Sequence, residues 1–241
     1  MFFGAGKERL QMKIHGFQKM TMLDFPGRVA CTLFTAGCNF RCPFCHNALL
    51  VTEIDAAATY DEAEIFSYLE KRRGILDGVA ITGGEPLLNR DIPDLLRKIK
   101  ALGYAVKLDT NGSYPDLLKS VVAEGLVDYV AMDIKNSKEK YALTVGLPAF
   151  DLRPVEESVA FLLSGAVDFE FRTTVVKELH TEKDIAAIAD WIAGAPRYFL
   201  QNFQTSEHLI GANLHAHEPE MLEKLREIAA RKIPNTSLRG V

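Results

Sequence analysis

The sequence lacks most of what would place it in a specialised class. Its excess of one charge is small: 28 Lys and Arg against 32 Asp and Glu leave a formal charge of −4 over 241 residues. That gives no bulk attraction to nucleic acid or to an anionic membrane surface, and neither is expected as a partner. No apolar run approaches the ~18 residues that suggest a membrane span. The opening MFFGAGKERLQM is too briefly apolar for a secretion signal; residues 1–11 are expected to be an extension ahead of Met12, with 12–241 as one domain. There is no internal repeat and no low-complexity stretch, which excludes repeat arrays and disordered tails. Cysteine is scarce too, with four residues, too few for a disulfide scaffold at this length. What remains, 48% hydrophobic and 25% charged, is an ordinary globular composition with material for a large core.

Strand-like and helix-like segments alternate. Val29 to Phe34, Gly78 to Thr82, Ala105 to Asp109, Tyr129 to Ile134, Phe169 to Val176 and Tyr198 to Gln201 read as strands. Helices are expected from Asp61, a capping residue with Glu64 three places on, and over Ile92–Leu102, Pro115–Glu124, Pro154–Leu163, Glu182–Ala193 and Pro219–Lys232. Six strands separated by helices predict an α/β fold with a parallel sheet. Being short of eight, they favour a partial (β/α)6-type TIM barrel over a closed one. Functional groups then gather at the carboxyl ends of the strands. The stretch from about Asn202 to Glu218 reads as a long loop.

All four cysteines fall in one short segment. Cys38, Cys42 and Cys45 follow the first strand with spacings x3 and x2, whereas Cys31 lies inside the strand and reads as a small buried residue. With no export signal the expected compartment is the reducing cytosol, where clustered thiols bind metal or do redox chemistry. Three thiolates so spaced can converge on an iron–sulfur cluster, which usually takes four. A cluster held by three leaves one iron open to a ligand that is not protein. A zinc knot is the plainer alternative, but structural zinc takes four ligands and His46 adjoins Cys45 directly.

Cys38-x3-Cys42-x2-Cys45 is similar to the defining motif of the radical S-adenosylmethionine (SAM) enzymes, and Thr82-Gly83-Gly84-Glu85-Pro86 resembles that family's GGE motif. With Cys45-His46-Asn47, Asp109-Thr110-Asn111-Gly112 and Met132-Asp133-Ile134-Lys135, the chain looks like the glycyl-radical-enzyme activating branch. Gly16 to Gly27 (GFQKMTMLDFPG) looks most like activases of anaerobic ribonucleoside-triphosphate reductase.

The resemblance implies a [4Fe-4S] cluster on Cys38, Cys42 and Cys45. It also implies SAM chelated to the open iron and cleaved reductively to a 5′-deoxyadenosyl radical, and a cytoplasmic enzyme of anaerobic metabolism. The partner would be a glycyl radical enzyme, with reduced flavodoxin or ferredoxin as electron donor. It places the methionine end of SAM near Gly83 and Gly84, with Glu85 orienting their turn. Asp109 and Asp133 are expected at the ribose or amino group, Asn111 among the SAM contacts beside them, Lys135 at the carboxylate, and Phe44, His46 and Val175 near adenine. Arg172 matches an Arg-bearing strand of the activases.

The His that pyruvate formate-lyase activases carry on the last strand is absent; Gln201 and Phe203 are the candidates to replace it. His208, His215 and His217 are expected on a solvated loop. With no second cysteine-rich insert, one cluster is expected. The alternatives are a pyruvate formate-lyase-type activase, a small-molecule enzyme like 7-carboxy-7-deazaguanine synthase, and a metal-binding module or electron carrier. His46-Asn47 after the third cysteine argues against the second, and three ligands rather than four argue against the last.

Overall fold

Short apolar runs closed by glycine or Asn-Gly turns form the middle of one sheet whose strands follow chain order. The strands are β1 (Ile14–Thr21), β2 (Ala30–Thr35), β3 (Gly78–Gly83), β4 (Ala105–Thr110), β5 (Tyr129–Asp133), β6 (Asp168–Val175), β7 (Tyr198–Asn202) and β8 (Thr236–Arg239). β1 runs antiparallel to β2, and every later neighbour pairs in parallel. Among the described residues no ladder joins β8 to β1, so the fold is α/β with a partial, open-sided barrel. The structure, a computed structural model, describes residues 14–54 and 59–240; the expected boundary at residue 12 lies outside them.

The six expected strands are β2 to β7. β1 and β8 were not expected, and the reason is physical. Both are edge strands: β1 mixes polar residues with Gly16 and has three exposed residues near its end, and β8 has four residues. Neither presents the apolar run by which a central strand declares itself.

The helices are α1 (Ala48–Thr52), α2 (Glu62–Lys71), α3 (Ile92–Ala101), α4 (Pro115–Ala123), α5 (Tyr141–Thr144), α6 (Arg153–Leu163), α7 (Glu182–Trp191) and α8 (Pro219–Ala230). Asp61 caps α2 by accepting the Ala63 N–H, and a reciprocal capping box forms at Thr181 and Asp184. Proline occupies the first turn of α3, α4, α6 and α8, where its missing N–H has no partner to lose.

Strand alternation divides the chemistry. Val106 and Leu108, Val130 and Met132, and Phe169 and Phe171 are buried in the main apolar core with the helices. The alternate positions, Lys107 and Asp109, Asp133, and Glu170, Arg172 and Thr174, take the other face, toward the barrel interior. Below them the β1–β2 loop inserts Phe25 against Ala30, Tyr129 and Ala131, a small second core that seals the bottom of the barrel. Asp24 beside it accepts a hydrogen bond from Thr32 Oγ1 at 2.6 Å.

Candidate active site

The cysteine loop leaves β2 at its carboxyl end and is tied down on all sides. Gly37 turns with φ +84°, donating its N–H to Leu50 O at 2.8 Å and accepting from Glu85 N–H at 2.8 Å. Asn47 Nδ2 donates to Gly83 O at 2.8 Å. The Arg41 N–H reaches Val145 O at 2.9 Å, and the Gly211 N–H reaches Pro43 O at 2.8 Å. The Arg41 guanidinium bends back to the carbonyls of Cys38 and Phe40 at 2.6 and 2.8 Å. A loop so anchored holds its side chains without help from regular structure.

It turns Cys38, Cys42 and Cys45 into one cavity of about 860 Å³, counting its open mouth. Burial pushes the Cys42 thiol up to about 12 and raises those of Cys38 and Cys45, while the Lys135 ammonium pulls Cys42 and Cys45 back. Cys31 sits in β2, wholly buried in the core and not on the cavity, its thiol raised to about 12 by desolvation.

Gly83 and Gly84 line the cavity, but their missing side chains serve packing. A Cβ on Gly83, which has φ +118°, would strike the Thr35 backbone, and one on Gly84 would strike the Gly37 carbonyl. The glycines thus let the β3 turn lie directly on the start of the cysteine loop. Glu85 does not line the cavity. It is fully buried, with Oε1 accepting from Leu87 N–H at 3.0 Å and Thr110 Oγ1 at 2.8 Å, and Oε2 from Asn111 N–H at 2.6 Å. Desolvation raises its carboxyl to about 7 against those three donors. It joins this turn to the end of β4.

Asn111 does reach the cavity, with its amide engaged by the cysteine loop: Nδ2 donates to Asn39 Oδ1 at 3.0 Å and lies 3.8 Å from Cys38 Sγ, and Oδ1 accepts from Ser113.

Across the cavity wall runs a ladder of alternating charge. Lys107 pairs with Asp109. Arg172 bridges Asp109 Oδ2 at 3.1 Å and Asp133 Oδ1 at 2.9 Å, and Lys135 Nζ meets Asp133 Oδ2 at 3.0 Å. Burial opposes ionisation of both aspartates, but Arg172 and its neighbours overcome it, lowering Asp109 and bringing Asp133 to about 2. Burial likewise opposes charge on Lys135, yet Asp133 and Cys42 hold its ammonium well above the ordinary value. Lys135 is the cation of this ladder that acts on the thiols, and its ammonium suits an anionic group of a ligand.

Phe44 and His46 border the cavity. Phe44 is nearly buried, with its ring edge-on to His180; His46 Nε2–H donates to Gln204 O at 3.0 Å. Val175 does not reach the cavity; it lies in the core, and Thr174 lines the wall in its place. Once Arg172 faces inward, period-two alternation requires residue 174 to do so as well. Gln201 lines the cavity, whereas Phe203 is buried against the His46 ring. Thr174 and Phe40 were missed by sequence reasoning, although strand parity could have found the first. His208 and His215 are exposed, His215 Nδ1 pairing with Glu178 Oε1, and His217 Nε2–H donates to His180 O at 3.2 Å.

The residues fit an iron–sulfur cluster with a nucleoside ligand. The donor set is three thiols turned into one cavity, with the Lys135 ammonium beside two of them. Among the described residues no three Cys, His, Asp or Glu side chains close on a single metal ion; ligands of a cluster each bind a different iron and need not.

Comparison with known proteins agrees. The family model of the Radical SAM superfamily matches residues 32–192. A protein of Methanocaldococcus jannaschii, provisionally named a glycyl-radical enzyme activating enzyme, is 29% identical over 95% of this chain and 96% of its own. The pyruvate formate-lyase-activating enzyme of Staphylococcus epidermidis is 30% identical over 58% of this chain and 59% of its own. The crystal structure of Streptococcus suis SuiB bound to S-adenosylmethionine shares the fold with TM-score 0.65 and 17% identity, over 85% of this chain and 48% of SuiB.

Proposed function

The chain belongs to the radical SAM superfamily, an enzyme family of [4Fe-4S] and SAM chemistry, and we propose that it is the activase of a glycyl radical enzyme, with anaerobic ribonucleoside-triphosphate reductase as its partner. Cys38, Cys42 and Cys45 are the cluster ligands in this reading. When bound, the reduced cluster and SAM supply a 5′-deoxyadenosyl radical that takes a hydrogen atom from one backbone glycine of the partner.

The protein's own residues bind, orient and shield. Lys135, whose ammonium is held charged beside Cys42, pairs with the SAM carboxylate. Asp109 and Asp133 offer carboxylate oxygens to the amino group or the ribose hydroxyls. Arg172 fixes both aspartates in place and keeps them ionised. Phe44, His46, Thr174 and Gln201 form the wall on the adenosine side, and Glu85 holds the two turns between which the methionine end lies. In this reading the side between β8 and β1, which no ladder closes among the described residues, takes the partner's polypeptide loop. A reduced flavodoxin or ferredoxin, acting in the cytoplasm, is the electron source this reading requires.

The observation that carries the activase reading is the full-length match to the Methanocaldococcus jannaschii relative, which extends the likeness beyond the cysteine loop to nearly the whole chain; the choice of reductase rests on the likeness of Gly16 to Gly27. The test is anaerobic incubation of the reduced, cluster-loaded protein with SAM and an anaerobic ribonucleotide reductase. The expected result is a glycyl doublet in the electron paramagnetic resonance spectrum, absent with Cys42→Ala. SAM cleavage without a doublet on any candidate glycyl radical enzyme refutes the assignment.

A further inference from the structure

Asn111 follows β4, is buried, and is held at both ends. Its backbone N–H donates to Glu85 Oε2 at 2.6 Å. Its side-chain Oδ1 accepts the Ser113 N–H at 2.9 Å and the Ser113 hydroxyl as well. Its Nδ2 donates to Asn39 Oδ1 at 3.0 Å, and Asn39 Nδ2 donates in turn to Ser113 Oγ at 2.9 Å. The three side chains close a ring between the end of β4 and the cysteine loop. The ring also fixes which way the Asn111 amide points: with its ends exchanged, an NH2 group would face the Ser113 N–H. Nδ2 therefore lies on the cysteine side.

An asparagine amide offers two N–H donors and two acceptor lone pairs. Ser113 takes both lone pairs and Asn39 takes one donor. The remaining donor meets Cys38, with Nδ2 3.8 Å from Sγ, at the long end of contacts to sulfur. Nothing of the amide is left over for a SAM atom. The same Sγ accepts the Phe40 N–H at 3.4 Å. A thiol is a weak acceptor, whereas a metal-bound thiolate carries charge and draws such donors in.

We propose that Asn111 is a positioning residue for the cluster, its side-chain amide donating to the Cys38 thiolate once metal is bound and so raising the reduction potential. The inference rests on the reading of Cys38 as a ligand, and needs neither SAM nor the partner. One electron from the reduced flavodoxin or ferredoxin makes the cluster more negative, and a hydrogen bond to a ligand sulfur favours that state. Glu85 and Ser113 keep the donor in place, one from the backbone and one from the side chain.

The experiment compares Asn111→Ala with Asn39→Ala, each reconstituted anaerobically and titrated with a chemical reductant without SAM. The first removes the donor; the second breaks the same ring and leaves the donor. Both are expected to take up wild-type iron and sulfide. The midpoint potential is expected to move to more negative values in Asn111→Ala and to stay at the wild-type value in Asn39→Ala. In protein with isotopically labelled asparagine side-chain nitrogen, electron–nuclear double resonance is expected to show a nitrogen coupling on the reduced wild-type cluster, kept in Asn39→Ala and lost in Asn111→Ala. Wild type without that coupling overturns the inference, whether or not Asn111→Ala takes up a cluster. So does an unchanged potential in Asn111→Ala, or an equal shift in both variants, which makes the ring a packing device. Failure of the wild type itself to take up a cluster overturns the ligand reading, and this inference with it. The expected shift in a protein that forms no glycyl radical on any partner supports the inference and refutes the activase reading.

Discussion

Glu85 Oε2 accepts the Asn111 backbone N–H at 2.6 Å, joining the turn after β3 to the end of β4 through a carboxylate that no solvent touches. Oε1 holds Leu87 N–H and Thr110 Oγ1 at the same time. Glu85→Ala would strand three buried donors and is expected to cost about 3–5 kcal/mol, at ~1–3 for each donor with partial relaxation. Glu85→Gln should cost less, since only its amide nitrogen faces a donor. Urea unfolding of the metal-free proteins measures both; equal stability of the Ala and Gln variants would show that the carboxylate is not the staple.

Replacing Cys38, Cys42 or Cys45 by Ala, one at a time, is expected to abolish stable iron and sulfide uptake. Cys31→Ala should keep both and cost roughly 1–2 kcal/mol, because it removes one small buried atom from the core. Iron and sulfide analysis of anaerobically reconstituted protein decides it. Loss of the cluster in Cys31→Ala, with retention in one of the others, would overturn the ligand set.

Lys135→Ala is expected to leave cluster content intact and to weaken SAM binding about tenfold to a hundredfold, the usual worth of a charge-assisted hydrogen bond. Anaerobic calorimetric titration with SAM gives the affinity. An unchanged affinity would remove Lys135 from the binding site.

His180 provides a pH signature. It accepts the Val176 N–H on Nδ1 and donates from Nε2 to Lys135 O at 2.8 Å, so its neutral form fixes the backbone of the ladder's last lysine. Burial lowers its imidazole from 6.5 to about 4. The folded value lies below the unfolded one, so this stabilisation is complete above pH ~6.5 and declines as pH falls toward 4, by roughly 3 kcal/mol in all. Other groups titrate in that range, so the measurement is a difference. The excess stability of wild type over His180→Gln should be flat above pH 6.5 and shrink below it; a constant difference down to pH 4 would contradict the assignment.

The central strands and the cysteine loop were legible in the sequence because their signals are local: apolar runs, turn residues and thiol spacing. β1 and β8 were not, since an edge strand with one polar face or four residues carries no such run. Val175 illustrates a different limit. The strand was recognised, but its facing depends on which residue enters the barrel, and only the Arg172 bridge to Asp109 and Asp133 fixes that parity. The roles of Gly84 and Glu85 were also hidden, because both arise from contacts between segments far apart in sequence: Gly84 on Gly37, and Glu85 on Thr110 and Asn111.

The account depends on a cluster whose three cysteine ligands leave one iron for SAM. Mössbauer spectroscopy of iron-labelled protein, with and without SAM, tests this directly. The account predicts that one iron of the four changes its spectrum when SAM is added and that the others do not. Four irons indifferent to SAM, with the last already held by a side chain of this protein, would contradict it.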